Sequence, residues 1–135
     1  MEFPLERSYL DYAGKTRRFS IHRNQNPSWP GCILEAQEMV NGQPAGYHFE
    51  VSSDADNPVA ALGLLHSKIQ AGLSRRYAYT KGDNVTMLGD TLKGRITNNR
   101  LIVDGEPISY DQLIDLFSMH EGFDFEMKFV DSCAP

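Results

Sequence analysis

Four histidines, His22, His48, His66 and His120, and two cysteines, Cys32 and Cys133, are the side chains best suited to proton transfer, metal ligation or nucleophilic attack. A metal site built on one local scaffold needs two ligands a turn or a knuckle apart, as in His-x3-His or Cys-x2-Cys. No such spacing occurs in this sequence, so no metal is expected. His48 and Glu50 stand two residues apart, which places them on one face of a strand. With a distant third group such as His66 they form the candidate catalytic set, of the kind a small hydrolase or metal enzyme uses. The competing reading is simpler: His48 and Glu50 belong to an exposed polar row, while His66 and His120 flank the packed stripes of two helices.

The nucleophile motifs are missing. The sequence has no Gly-x-Ser-x-Gly elbow and no dinucleotide glycine fingerprint. Gly14-Lys15-Thr16 resembles the end of a phosphate loop, but Tyr9 stands where that loop needs its first glycine. Cys32 follows Pro30-Gly31 into a strand and reads as a small buried apolar residue. Cys133 lies in the terminal stretch Asp131–Pro135, which is expected to fray. The balance leans away from an enzyme, and no cofactor is implied.

Charge offers a second candidate surface. Lys15, Arg17, Arg18 and Arg23 fall within nine residues, and Arg75, Arg76 and Lys81 form another group. With Phe19, Tyr77 and Tyr79 close in sequence, these clusters carry a nucleic-acid-binding alternative of phosphate contacts and stacking surfaces. Against it, the chain has 13 Lys and Arg but 18 Asp and Glu, a net charge of −5. The excess is local: residues 1–103 carry +2, whereas 104–135 hold Lys128 against eight acids. A near-neutral body with an acidic end favours a protein partner or self-association over nucleic acid.

The elements that must position these groups read as follows. Arg18–Arg23 and Gly46–Val51 are strands. Leu34–Met39 has helical propensity, but Asn41-Gly42 followed by a strand favours Cys32–Val40 as the first arm of a long hairpin. A helix spans about 58–74, capped by Asp56 or Asn57, opened by Pro58, with Leu62, Leu65, Ile69 and Leu73 as its buried stripe. Val85–Leu88 and Leu92–Thr97 are short strands, and Leu101–Val103 turns at Asp104-Gly105. Ser109 and Gln112 have capping-box spacing for a second helix, about 110–121, with Leu113, Leu116, Phe117 and His120 inward and Gly122 as its stop. Phe123, Phe125, Met127 and Phe129 alternate with Asp124, Glu126, Lys128 and Val130, the period of a half-buried final strand. The fold class is α+β: a mainly antiparallel sheet with both helices on one face. At 135 residues, a single domain over 1–135 is expected. No apolar run is long enough to span a bilayer, the start lacks a secretory pattern, and two cysteines make no disulfide framework. Those features point to the cytoplasm.

Asp56-Asn-Pro-Val-Ala-Ala-Leu-Gly-Leu-Leu-His66, Leu92-Lys-Gly-Arg95, Ile102-Val-Asp-Gly105 and Glu121-Gly-Phe-Asp-Phe125 together resemble an uncharacterised prokaryotic domain-of-unknown-function family. The resemblance covers about residues 56–130 and implies no activity. Gly46–Val51 before a helix, with Trp29-Pro-Gly-Cys32, also resembles antitoxins that pair with basic ribonuclease toxins. In this chain the Pro-Gly-Cys precedes the tyrosine strand instead of following it, which sets that likeness aside.

Overall fold

Three tight turns organise the strands. Asn41-Gly42, Asn98-Asn99 and Asp104-Gly105 each place two consecutive residues at positive φ, between 49° and 78°. That is the type I′ geometry whose twist matches a two-residue hairpin, and Asn, Asp and Gly tolerate it best. In the computed structural model, which describes residues 2–24, 28 and 30–131, the strands form three antiparallel sheets, and these turns join strands in two of them.

The first sheet has the order β1 (Leu5–Leu10), β2 (Thr16–Asn24), β3 (Cys32–Val40), β4 (Gln43–Ser53). Register pairs Arg7 with Phe19, Phe19 with Glu38, and Ala36 with Phe49. Helix α1 (Pro58–Leu73) packs on β3 and β4. Asn57 caps it by accepting the Ala60 N–H at 3.2 Å, with Pro58 at the first helical position, as local propensity dictates. Its stripe of Ala61, Leu62, Leu65, Ile69 and Leu73 is buried against Phe19, Ile21, Cys32, Leu34, Ala36 and Tyr47. Gly72 permits this approach: a Cβ there would lie 2.4 Å from the Phe49 ring.

The second group of elements is β5 (Ala78–Lys81) paired with β6 (Asn84–Met87), and a meander of β7 (Arg95–Thr97), β8 (Arg100–Val103) and β9 (Glu106–Ser109). Helix α2 (Tyr110–Ser118) follows and contacts β6 and β9. Its capping box forms in full. Ser109 Oγ accepts the Gln112 N–H at 3.1 Å, and the Gln112 side chain accepts the Ser109 N–H at 2.8 Å. Ala78, Val85, Val103 and Ile108 make a separate, smaller apolar cluster. Asp104 is buried beside it and accepts the Tyr77 and Ala78 backbone N–H groups at 3.0–3.1 Å.

The chain divides into two compact units, Met1–Arg75 with Val130–Pro135, and Arg76–Phe129. The α+β class is as expected, with α1 close to its expected span. The sheet is not one but three: α1 packs on the first, and α2 contacts a strand of each of the other two. Strands β1 and β5 add to those expected. The final strand does not form: residues 123–130 pair with no described strand, and Phe123, Phe125, Met127 and Phe129 are 71%, 82%, 60% and 74% exposed. Period-two alternation states which side chains would share a face, but a strand also needs a hydrogen-bonded neighbour. Helix α2 is likewise shorter than expected. Leu116 is buried in it, whereas Phe117, expected inward, is exposed. Cys133 and the tail beyond Asp131 lie outside the described residues, as does Trp29.

Candidate functional site

Alternation along β2, β3 and β4 gives the first sheet two faces. The face under α1 carries the core. At the end of this face the core passes into an ionic cluster of Asp11, Arg17 and Glu38, all three buried. Arg17 Nε donates to Asp11 Oδ2 at 3.0 Å and Arg17 Nη1 to Glu38 Oε2 at 3.1 Å. The Tyr47 N–H donates to Glu38 Oε1 at 3.0 Å, and the Arg17 guanidinium lies 5.3 Å from the Tyr47 ring centroid. Burial alone raises the Asp11 carboxyl. The Lys15 N–H, the Arg17 guanidinium and the Ala13 N–H outweigh it and hold the group below its ordinary range.

The opposite face holds the polar row that contains His48 and Glu50, but the row is not exposed there as expected: the His48 side chain and Glu50 are each only 5% exposed. His48 Nε2 is 2.7 Å from Glu35 Oε1, and Asn24 Nδ2 donates to Glu35 Oε2 at 2.6 Å. Register sets Glu35 between His22 on β2 and Glu50 on β4. Ser20 Oγ lies 2.9 Å from His22 Nε2, in an exposed position. Thus Glu35, Asn24, Ser20 and His22 join a row in which spacing alone identifies only His48 and Glu50. Strand pairing supplies the rest, and no local pattern encodes it.

His66 does not join them. It sits on α1, its ring edge-on to Tyr9 at 5.6 Å, on the core side of the sheet. Its Nε2 and the Tyr9 hydroxyl are both buried without a hydrogen-bond partner. Burial, then the nearby Arg7 charge, pushes the His66 ring below its ordinary value, which keeps it neutral. The sheet therefore separates His66 from His48 and Glu50. His120 holds the Leu116 carbonyl at 2.8 Å through Nδ1 and stacks edge-on against Phe123 at 5.2 Å. Burial raises the Cys32 thiol, and Asp56 adds to this while Arg23 opposes it. A fully buried thiol held protonated is inert. Among the described residues, no three His, Cys, Asp or Glu side chains are placed to share a metal ion.

Several members of the basic clusters are engaged with protein groups. Arg17 is turned inward and bound by two carboxylates, Arg23 is paired with Asp56, and Arg76 Nε donates to the Ala78 carbonyl at 3.2 Å. Lys15, Arg18, Arg75 and Lys81 are exposed. A depression of about 360 Å³ is lined by Asn99, Arg100, Pro107, Ser109 and Gln112. The Ser109 and Gln112 polar groups there are already engaged in the helix cap and in a 3.1 Å bond to the Asp83 carbonyl.

The most unusual surface is apolar. Tyr110, Ile114 and Phe117 recur at i, i+4 and i+7 on α2, and are 44%, 57% and 54% exposed. Met119 and the 123–130 segment continue this exposure along the chain. Scattered surface apolar residues are ordinary; here exposed aromatic and aliphatic side chains follow one another along residues 110–130.

Residues 1–74 match the model of a domain of unknown function, DUF7686, and residues 75–134 match that of a second, DUF7713. The junction falls beside the Arg75/Arg76 boundary between the compact units. No curated protein and no solved structure is similar enough to this chain to match it. The chain belongs to the DUF7686 family, whose model spans more than half its length.

Proposed function

We propose that this DUF7686-family protein is a non-enzymatic interaction module that works through a protein partner or by self-association, in the cytoplasm. One observation carries this reading. Among its described residues the unit Arg76–Phe129 buries five apolar side chains, Ala78, Val85, Val103, Ile108 and Leu116, with Tyr77, Leu92 and Leu101 partly buried against the cluster, while it leaves Ile114, Phe117, Met119, Phe123, Phe125, Met127 and Phe129 more than half exposed. Small units bury too little surface to be robust alone, and here the missing apolar contact is available on the outside. Acidic side chains interleave this surface and keep it compatible with water until it is covered.

An enzymatic reading asks for a nucleophile or base aimed into a water-excluding pocket with donors for developing charge. The His48–Glu35 pair lies on the sheet face opposite the core, with the His48 side chain already engaged by Glu35 at 2.7 Å, and His66 faces the other way. For nucleic acid, the engagement of Arg17, Arg23 and Arg76 with protein groups leaves a weak electrostatic footprint. No helix among the described residues is long and apolar enough to cross a membrane.

Native mass spectrometry of the full chain, purified gently at low salt, tests the proposal. The expected result is a mass above that of the single chain, from a second copy or a bound protein. A bare monomer under all conditions would contradict it.

A further inference from the structure

Resting on the interaction reading above, we infer that the partner is a second copy of this chain, joined by antiparallel pairing of residues 123–130 across a two-fold axis at Met127. The argument starts from the sequence of that segment, Phe-Asp-Phe-Glu-Met-Lys-Phe-Val. Its four odd positions are apolar and exposed, and no described strand pairs with it. It has the composition and period of a strand and lacks only a hydrogen-bonded neighbour.

A two-fold interface places the same patch of both copies against each other, so the segment must be complementary to itself. Centring the pair on Met127 sets Glu126 opposite Lys128 twice and Phe125 opposite Phe129 twice, with Met127 against Met127. Asp124 then faces Val130, and no like charges meet. A shift to Glu126 as centre sets that carboxylate against its own copy, a destabilising cross-strand pair. Centring on Phe125 sets Asp124 against Glu126, centring on Lys128 sets that ammonium against its copy, and centring on Phe129 leaves 123–127 without partners inside the segment, so Met127 is the centre that pairs the segment without like charges. Directly opposed residues point to the same side of the ribbon, so all the Phe and Met side chains of both copies gather on one face. The exposed α2 stripe of Tyr110, Ile114 and Phe117 offers the apolar surface to close that face. Phe side chains each bury about 150 Å² or more, so six of them with two Met reach the ~1,000 Å² that a specific interface needs.

Charge exchange tests this directly, read as the dimer dissociation constant of the full chain by sedimentation equilibrium. Lys128→Glu sets a carboxylate opposite Glu126 in both pairs and is expected to weaken the dimer about tenfold. The double variant Glu126→Lys with Lys128→Glu restores the opposite charges and is expected to recover the original affinity. In the Glu126-centred register the same double variant sets two ammonium groups against each other at position 126 and a new carboxylate against Asp124, and gives no recovery. Circular dichroism of each variant checks that the fold is intact, as expected for exposed positions. A dimer indifferent to Lys128→Glu, or not recovered by the double variant, overturns the proposed pairing and leaves self-association standing. A monomer bound to a different protein overturns the second copy and leaves the interaction reading standing. A monomer with no partner overturns both.

Discussion

Arg17 carries the heaviest structural duty of any charged side chain in the first unit. It is 5% exposed and lies between the carboxylates of Asp11 and Glu38. Removing one partner from a buried ion pair leaves charge without compensation. Arg17→Met is therefore expected to lower stability by about 3–5 kcal/mol, measured by urea unfolding. Acid acts on the same unit in two windows. The folded-state value of His66 lies below its ordinary 6.5, so below about pH 6.5 the unfolded chain takes up a proton that the folded chain refuses. Stability is full above that pH and falls as pH drops through the window. The Asp11 value is lowered from 3.8, so its contribution is present above about pH 3.8 and is lost as pH falls towards the folded value. His66→Phe should flatten the fall in stability that begins below about pH 6.5 in pH-dependent urea titrations, leaving the acid limb of Asp11 in place. An unchanged slope would contradict a buried, neutral His66. Arg17 also shows what was legible. Arg17, Phe19 and Ile21 share one strand face by period two, which already turns Arg17 inward. Its carboxylate partners come from a turn and a neighbouring strand, and only tertiary pairing brings them together.

Among elements, α1 follows from local signals because cap and stripe agree, whereas in the β3–β4 hairpin the Asn41-Gly42 turn outweighs helical propensity across Leu34–Met39. Asn57-Pro58, Leu62/Leu65/Ile69/Leu73 and Asn41-Gly42 each appear where the chemistry demands them. The two glycines inside α1 differ in a way that composition does not reveal. A Cβ on Gly63 would meet nothing within 4 Å, whereas one on Gly72 would strike Phe49 at 2.4 Å. Phe49 cannot simply swing aside, since its ring stacks on Tyr47 at 5.7 Å and neighbours Phe19 at 5.9 Å. Gly63→Ala is thus expected to stabilise by up to about 1 kcal/mol through helix propensity. Gly72→Ala should destabilise by about 1–3 kcal/mol through overpacking. Thermal unfolding of the two variants should move Tm in opposite directions. The 123–130 segment is the element where local reading and structure part. Its alternation is a sound statement about side-chain faces, yet pairing is a property of two strands, and within the described chain it has no partner.

At the scale of the whole molecule, the net charge of −5 resolves into distinct roles. Asp104 is buried and ties down the Tyr77 and Ala78 backbone, so it does not belong to an acidic outer face. Asp124 and Glu126 instead interleave an exposed apolar segment, where charge sets the register of association. Two family models and two apolar clusters divide the chain at the same place. One cooperative domain over 1–135 is the proposal that a single calorimetric transition would support, and two separate transitions would oppose. The central claim is that the apolar surface of 110–130 exists to be covered. Sedimentation equilibrium of the full chain beside a Phe125→Asp/Phe129→Asp variant tests it most directly. The account predicts twice the 15.2 kDa chain mass for the native protein and the single-chain mass for the variant. A native protein that sediments as a monomer at every concentration, or a variant that dimerises as tightly as the native chain, would contradict it.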